Sequence, residues 1–180
     1  AVQAAMLFLV VHALYKGALF LVAGAVDHET GTRDATRLGG LAKAMPVTAA
    51  AAGLAALSMA GLPPLLGFVN KELLYEANLH APRAAGWLTG AGVTSNVLLV
   101  AVAGIVGLRP FVGQATATPR KPHEAPVALW LGPVILAGLS LLGGLLPHGI
   151  PSFLASAAAS AVRAEPVVAD HGHIQNECVR

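Results

Sequence analysis

Long apolar runs separated by short polar stretches dominate the chain, and their lengths predict helices that cross a bilayer. The first run covers residues 4–26 and ends at the polar stretch DHETGTRD, residues 27–34. As an α-helix its roughly 23 residues would extend ~34 Å, enough for a hydrocarbon core. The second run starts after Pro46, a residue suited to a first helical turn, and continues through alanine-rich sequence to Leu62. There Pro63 and Pro64 remove two backbone donors, and Gly61 and Gly67 flank them. A broken helix is predicted, with a second half over residues 68–78 carrying Lys71, Glu72 and Glu76. The third run covers residues 86–108 and closes at Arg109-Pro110; the fourth covers 125–146 and closes at Pro147. Beyond it lie an amphipathic candidate at 150–162 and a polar tail, with His171 and His173, expected to be disordered. The pattern predicts an all-α, polytopic transmembrane helix bundle of about four spans, one of them broken at Pro63-Pro64.

Composition agrees. Of 180 residues, 56% are hydrophobic and 11% charged, with mean hydropathy +0.69, against about 25% charged in soluble domains. Abundant glycine and alanine suit helices packed closely through small side chains. The net charge of +2 gives no basis for nucleic-acid binding. Lysine and arginine are distributed unevenly: loops 27–45 and 109–125 hold Arg33, Arg37, Lys43, Arg109, Arg120 and Lys121, whereas the loop near 79–85 holds Arg83. The positive-inside rule then places the first two loops in the cytoplasm. The single cysteine, Cys178, excludes an internal disulfide. No metal site is expected: Asp27, His28 and Glu29 are adjacent and read as a solvated loop, and His171 and His173 near Cys178 are only superficially zinc-like. No phosphate loop, nucleophile elbow or HExxH pattern is present, so neither a cofactor nor enzymatic chemistry is expected. The opening at Ala1, directly into apolar sequence, reads as the interior of a longer protein.

Charged residues inside the apolar runs are the candidate chemistry. Lys16 lies near the middle of the first run, with His12 four residues earlier on the same helical face. A lysine at that depth costs ~2.5–3.5 kcal/mol on insertion scales and usually faces a hydrated interior or a partner. The pair could relay a proton; the alternative is a lysine snorkelling to the interface, for which Lys16 is too central. Lys71 lies about two turns beyond Pro64, where a broken helix exposes backbone groups tolerated only inside protein or beside water. It reads equally as a titratable group on a half-helix or, with Glu72, as the interfacial end of a kinked one.

The motifs HALYKGALFLVAGAVDHETGTRD, LGGLAKAMP and MAGLPPLLGFVNKE resemble the proton-antiporter membrane family. That family includes the A-type subunit of the multisubunit (Mrp-type) sodium/proton antiporter and the antiporter-like membrane subunits of respiratory complex I. VDHETGTRD and the PHEAP segment at 122–126 are more similar to the A-type antiporter branch. The resemblance covers residues 1–150 as the C-terminal part of the antiporter transmembrane module and stops before 151–180. It implies a large helix bundle with two inverted repeats, each with a broken helix, and a line of buried lysines, glutamates and histidines at mid-depth. Lys16 matches the central lysine of that line, His12 the histidine one turn before it, Lys71 the lysine after the second break, and Pro63 and Pro64 the break itself. Where some relatives carry a further histidine, this chain has Phe8, which implies a shorter or water-filled relay. The family's first broken helix lies upstream, so the chain looks truncated at both ends and is not expected to move ions alone.

The function so implied couples proton movement to transport of a monovalent cation, sodium, along Lys16, His12, Lys71 and Glu72. Its partners would be the other membrane subunits of a multisubunit antiporter, protons and sodium ions, and the lipid bilayer of the cell membrane. Two alternatives stand beside it: a proton-pumping, antiporter-like subunit of NADH:quinone oxidoreductase without its own redox site, and a non-transporting remnant that packs against partner helices.

Overall fold

The computed structural model describes residues 2–80 and 84–146, together with Phe153 and Ser160. Arg83, the tail residues His171, His173 and Cys178, and most of the amphipathic candidate at 150–162 lie outside the described residues. The described residues form helices joined by loops and short turns: α1 (Val2–Thr30), α2 (Pro46–Ala60), α3 (Leu66–Leu79), α4 (Ala85–Ala103) and α5 (Val127–Leu145). α4 continues into a π-helical turn, Gly104–Leu108. Among the described residues, three segments are long and apolar enough to cross a membrane: Ala4–Thr30, Ala85–Leu108 and Val127–Leu145. α2 is apolar but, at 15 residues, extends only ~22 Å. It therefore needs α3 to complete a span. The predicted all-helical membrane bundle with one broken span is the fold observed.

α1 is longer than the apolar pattern predicts. It runs through Asp27, His28 and Glu29 and stops where Gly31 turns left-handed at φ +72°. Thr30 holds that last turn through its hydroxyl, which donates to the Val26 carbonyl at 2.7 Å. α2 begins with Pro46 at its first position, and its open amides are met from far along the chain. The Glu124 carboxylate accepts from the Val47 N–H at 2.7 Å, the Thr48 N–H at 3.3 Å and the Thr48 hydroxyl at 2.6 Å. A carboxylate there satisfies orphan donors and complements the positive end of the helix. α2 ends at Gly61, whose φ of +79° suits glycine. Leu62 N–H closes the cap onto the Leu57 carbonyl at 3.1 Å.

Small residues set the packing. α1 packs against α2, α3 and α5, with Leu7, Val11, Tyr15 and Ala18 meeting Ala55, Ala56, Met59 and Leu66 in one core cluster. A second cluster joins Val22 and Ala25 to Met45, Ala52, Phe111 and Ala125. Gly67 lies directly on the Ser58 backbone and Gly144 on the backbone of Pro64 and Leu65, so a β-carbon fits at neither. The Ser58 and Ser140 hydroxyls share a buried hydrogen bond of 2.7 Å, tying α2 to α5. α4 is the least covered span, and Trp87 is 85% exposed on it.

The two basic loops meet. Gly40, Leu41 and Ala42 donate backbone N–H bonds to Val112, Pro110 and Phe111 at 3.0–3.2 Å. Thr116 binds the Arg37 carbonyl through its hydroxyl at 2.7 Å, and Arg120 N–H binds the Thr30 carbonyl at 3.1 Å. Both loops therefore lie at the same end of the bundle.

Candidate functional site

Lys16 is the central residue of the 29-residue α1 and is half-buried. It borders a cleft of about 260 Å³ with Leu19, Phe20, Ala23, Met59, Val102 and Val106. His12, also half-buried, pairs through Nδ1 with the Tyr15 hydroxyl at 2.7 Å. Tyr15 is buried against the core, so it fixes the imidazole on the inner side of α1. The phenyl ring of Phe8 lies against His12 as well, with ring centroids 5.3 Å apart. The position at which the resemblance marks a further histidine thus holds an aromatic wall.

Lys71 is placed by the helix break. In an unbroken helix the Met59 carbonyl would accept from the N–H four residues on, but that residue is Pro63, which has none. Lys71 takes up the open carbonyl, donating from Nζ at 2.8 Å. Its second partner is the amide oxygen of Asn96 on α4. Gly61 leaves room for the side chain, because a β-carbon there would stand 2.5 Å from Lys71 Cδ. Met59 therefore borders both lysines, accepting from Lys71 through its backbone and lining the cleft of Lys16. Glu72, the next residue along α3, is exposed and takes no part in this group.

Sequence reasoning missed three polar residues here. Asn96 sits in an apolar run where a lone amide carries no periodic signal. Tyr15 reads as core. Asn70 is 2% exposed, and its amide oxygen has no hydrogen-bond partner among the described residues. Its place beside Lys71 on a membrane half-helix was the available signal.

At the basic end of the bundle, one expectation is corrected. Asp27, His28 and Glu29 do not form a solvated loop; they are the last turn of α1, and the Glu29 side chain is 3% exposed. Its oxygens pair with His28 Nδ1 at 2.9 Å and His123 Nδ1 at 3.0 Å. Burial is possible because the connector between α4 and α5 brings His123 over the carboxylate, a contact invisible in local sequence. Among the described residues no group of histidine, cysteine, aspartate and glutamate is arranged to hold a metal.

Lys71 thus stands on the half-helix that follows the break, and the chain as a whole is similar to known membrane proteins. The family model described as "NADH:quinone oxidoreductase/Mrp antiporter, TM" matches residues 1–99. The chain belongs to this antiporter family. Its curated relatives include the A1 subunit of the Na(+)/H(+) antiporter of Staphylococcus haemolyticus (strain JCSC1435), 39% identical over 171 residues, covering 88% of this chain and 21% of the relative. The corresponding A1 protein of Staphylococcus aureus (strain Newman) is 38% identical, with 90% and 22% covered. The chain spans about one fifth of the length of these relatives. Among solved structures, the Mrp complex from Dietzia sp. DQ12-45-1b contains a chain that matches with a TM-score of 0.77 and 25% identity, covering 88% of this chain and 37% of that one. Both curated relatives are A1 proteins, the branch to which VDHETGTRD and PHEAP point. With three segments of membrane length among its described residues, this member of the antiporter family is a membrane protein.

Proposed function

We propose that the chain is part of the A-type subunit of a monovalent cation/proton antiporter, and that protons pass along Lys16, His12 and Lys71 at mid-depth. Glu72, exposed on the same half-helix, would be the next titratable group, and sodium the exchanged cation, as the names of the relatives suggest. Its partners would be the other membrane subunits of such a complex. Loops 27–45 and 109–125 would lie in the cytoplasm.

The observation that carries this reading is the surroundings of Lys71. An interfacial anchor would extend its ammonium to headgroups and water. Lys71 instead turns inward, onto a carbonyl released by the helix break and an amide oxygen from the neighbouring span. The test is proton/cation exchange in everted vesicles carrying the full-length protein in its complex. Lys71→Ala should reduce exchange at least about tenfold, a loss of roughly 1.4 kcal/mol in barrier terms, while leaving membrane insertion unchanged. Wild-type exchange in that variant would reduce Lys71 to an anchor.

A further inference from the structure

We infer that Asn96 is a positioning residue for Lys71: its neutral amide oxygen holds the lysine in place both before and after the proton leaves. This rests on the reading of Lys71 as a proton-carrying group.

An amide on a lipid-length helix is costly unless it is paired across to another helix. Its polar neighbour Thr94 solves this locally, donating its hydroxyl to the Gly90 carbonyl of its own helix at 2.9 Å. Asn96 instead reaches across to Lys71. The local packing is built to let it reach. Gly92 and Asn96 are four apart on α4, as Lys71 and Tyr75 are on α3, so each pair shares one helical face. The two faces meet in antiparallel order. A β-carbon at Gly92 would sit 3.3 Å from Tyr75 Cε1 and 3.6 Å from Asn78 Nδ2. With only hydrogen at residue 92 the helices close, and Asn96 meets Lys71 one turn further on.

The neutrality of this partner matters. A carboxylate opposite an ammonium favours the charged form and would retain its proton. Neither acceptor of Lys71, the Met59 carbonyl or the Asn96 amide, carries a charge. After release, the neutral amine still has N–H bonds to donate, so Asn96 Oδ1 keeps the side chain in register. The proton itself passes to water or to the next titratable group; the amide neither gains nor loses one.

The experiment measures exchange against pH in vesicles carrying the full-length protein in its assembled complex, normalised to the amount of that protein in the membrane. Asn96→Asp should displace the pH profile toward alkaline values by about one pH unit or more, because a carboxylate retains the proton longer. Asn96→Leu should lower the rate about tenfold and displace the profile the opposite way, since the charged form has lost an acceptor. Asn96→Ser, which keeps an acceptor oxygen, should fall between Asn96→Leu and wild type. Coincident profiles in all three variants would overturn the assignment, as would equal losses without displacement, which would leave Asn96 a packing residue. Lys71→Ala run in parallel separates the two readings: exchange retained there removes the role of Lys71 itself, whereas exchange lost there with unmoved Asn96 profiles removes only that of Asn96.

Discussion

A lysine placed midway along a 29-residue apolar helix has both ends of the bilayer about equally far away. Lys16 meets this by facing a cleft bordered by α2 and α4 rather than by reaching for an interface. If it passes a proton on, charge alone is not enough at this position. Lys16→Arg keeps the charge but should not support exchange, because a guanidinium does not deprotonate in proteins. Lys16→Ala should fail as well, while His12→Ala should weaken exchange rather than abolish it, since water can take the place of the imidazole. Exchange rates in vesicles settle this, and full activity in Lys16→Arg would make Lys16 a fixed positive charge. Lys16 and Lys71 are legible in the sequence because a charge in an apolar run stands out. Asn96 is not, because its significance depends on a partner 25 residues away on another helix.

At the scale of the elements, the break is legible because proline and glycine act locally. Pro63 withholds an N–H, Gly61 accepts φ +79°, and the helix must stop. The apolar pattern ends α1 four residues early because Asp27 to Thr30 look like loop when their partners are unseen. His123 and Arg120 come from the connector before α5; they cover the carboxylate of that turn and bind its backbone. The contact of α3 with α2 is sterically demanding. Gly67→Ala would push a methyl into the Ser58 backbone and should cost about 1–3 kcal/mol, lowering the melting temperature of the purified protein. Gly53→Ala, on α2 with open space around it, is the matched control. It should be neutral or stabilising by about 0.5–1 kcal/mol, through the better helix propensity of alanine. Equal melting temperatures in the two variants would show that α3 can slide away from α2 at little cost.

For the whole molecule, the hydrogen bonds between the two basic loops require them to share a side. Reporter fusions after Lys43 and after Lys121 should therefore give the same signal, cytoplasmic by the positive-inside rule, and one after Arg83 the opposite signal. A cytoplasmic report from the Arg83 fusion would mean that a neighbouring segment fails to span. The loops also bear on the order in which the molecule is made. The amides that open α2 have their acceptor in Glu124, which follows them by 76 and 77 residues. During synthesis α1 and α2 leave the ribosome long before that carboxylate exists. The start of α2 must wait at the membrane surface with water on its amides until α4 has been inserted. The basic end of the bundle thus closes only after α4 has been made, and losing Glu124 would leave that end unsealed.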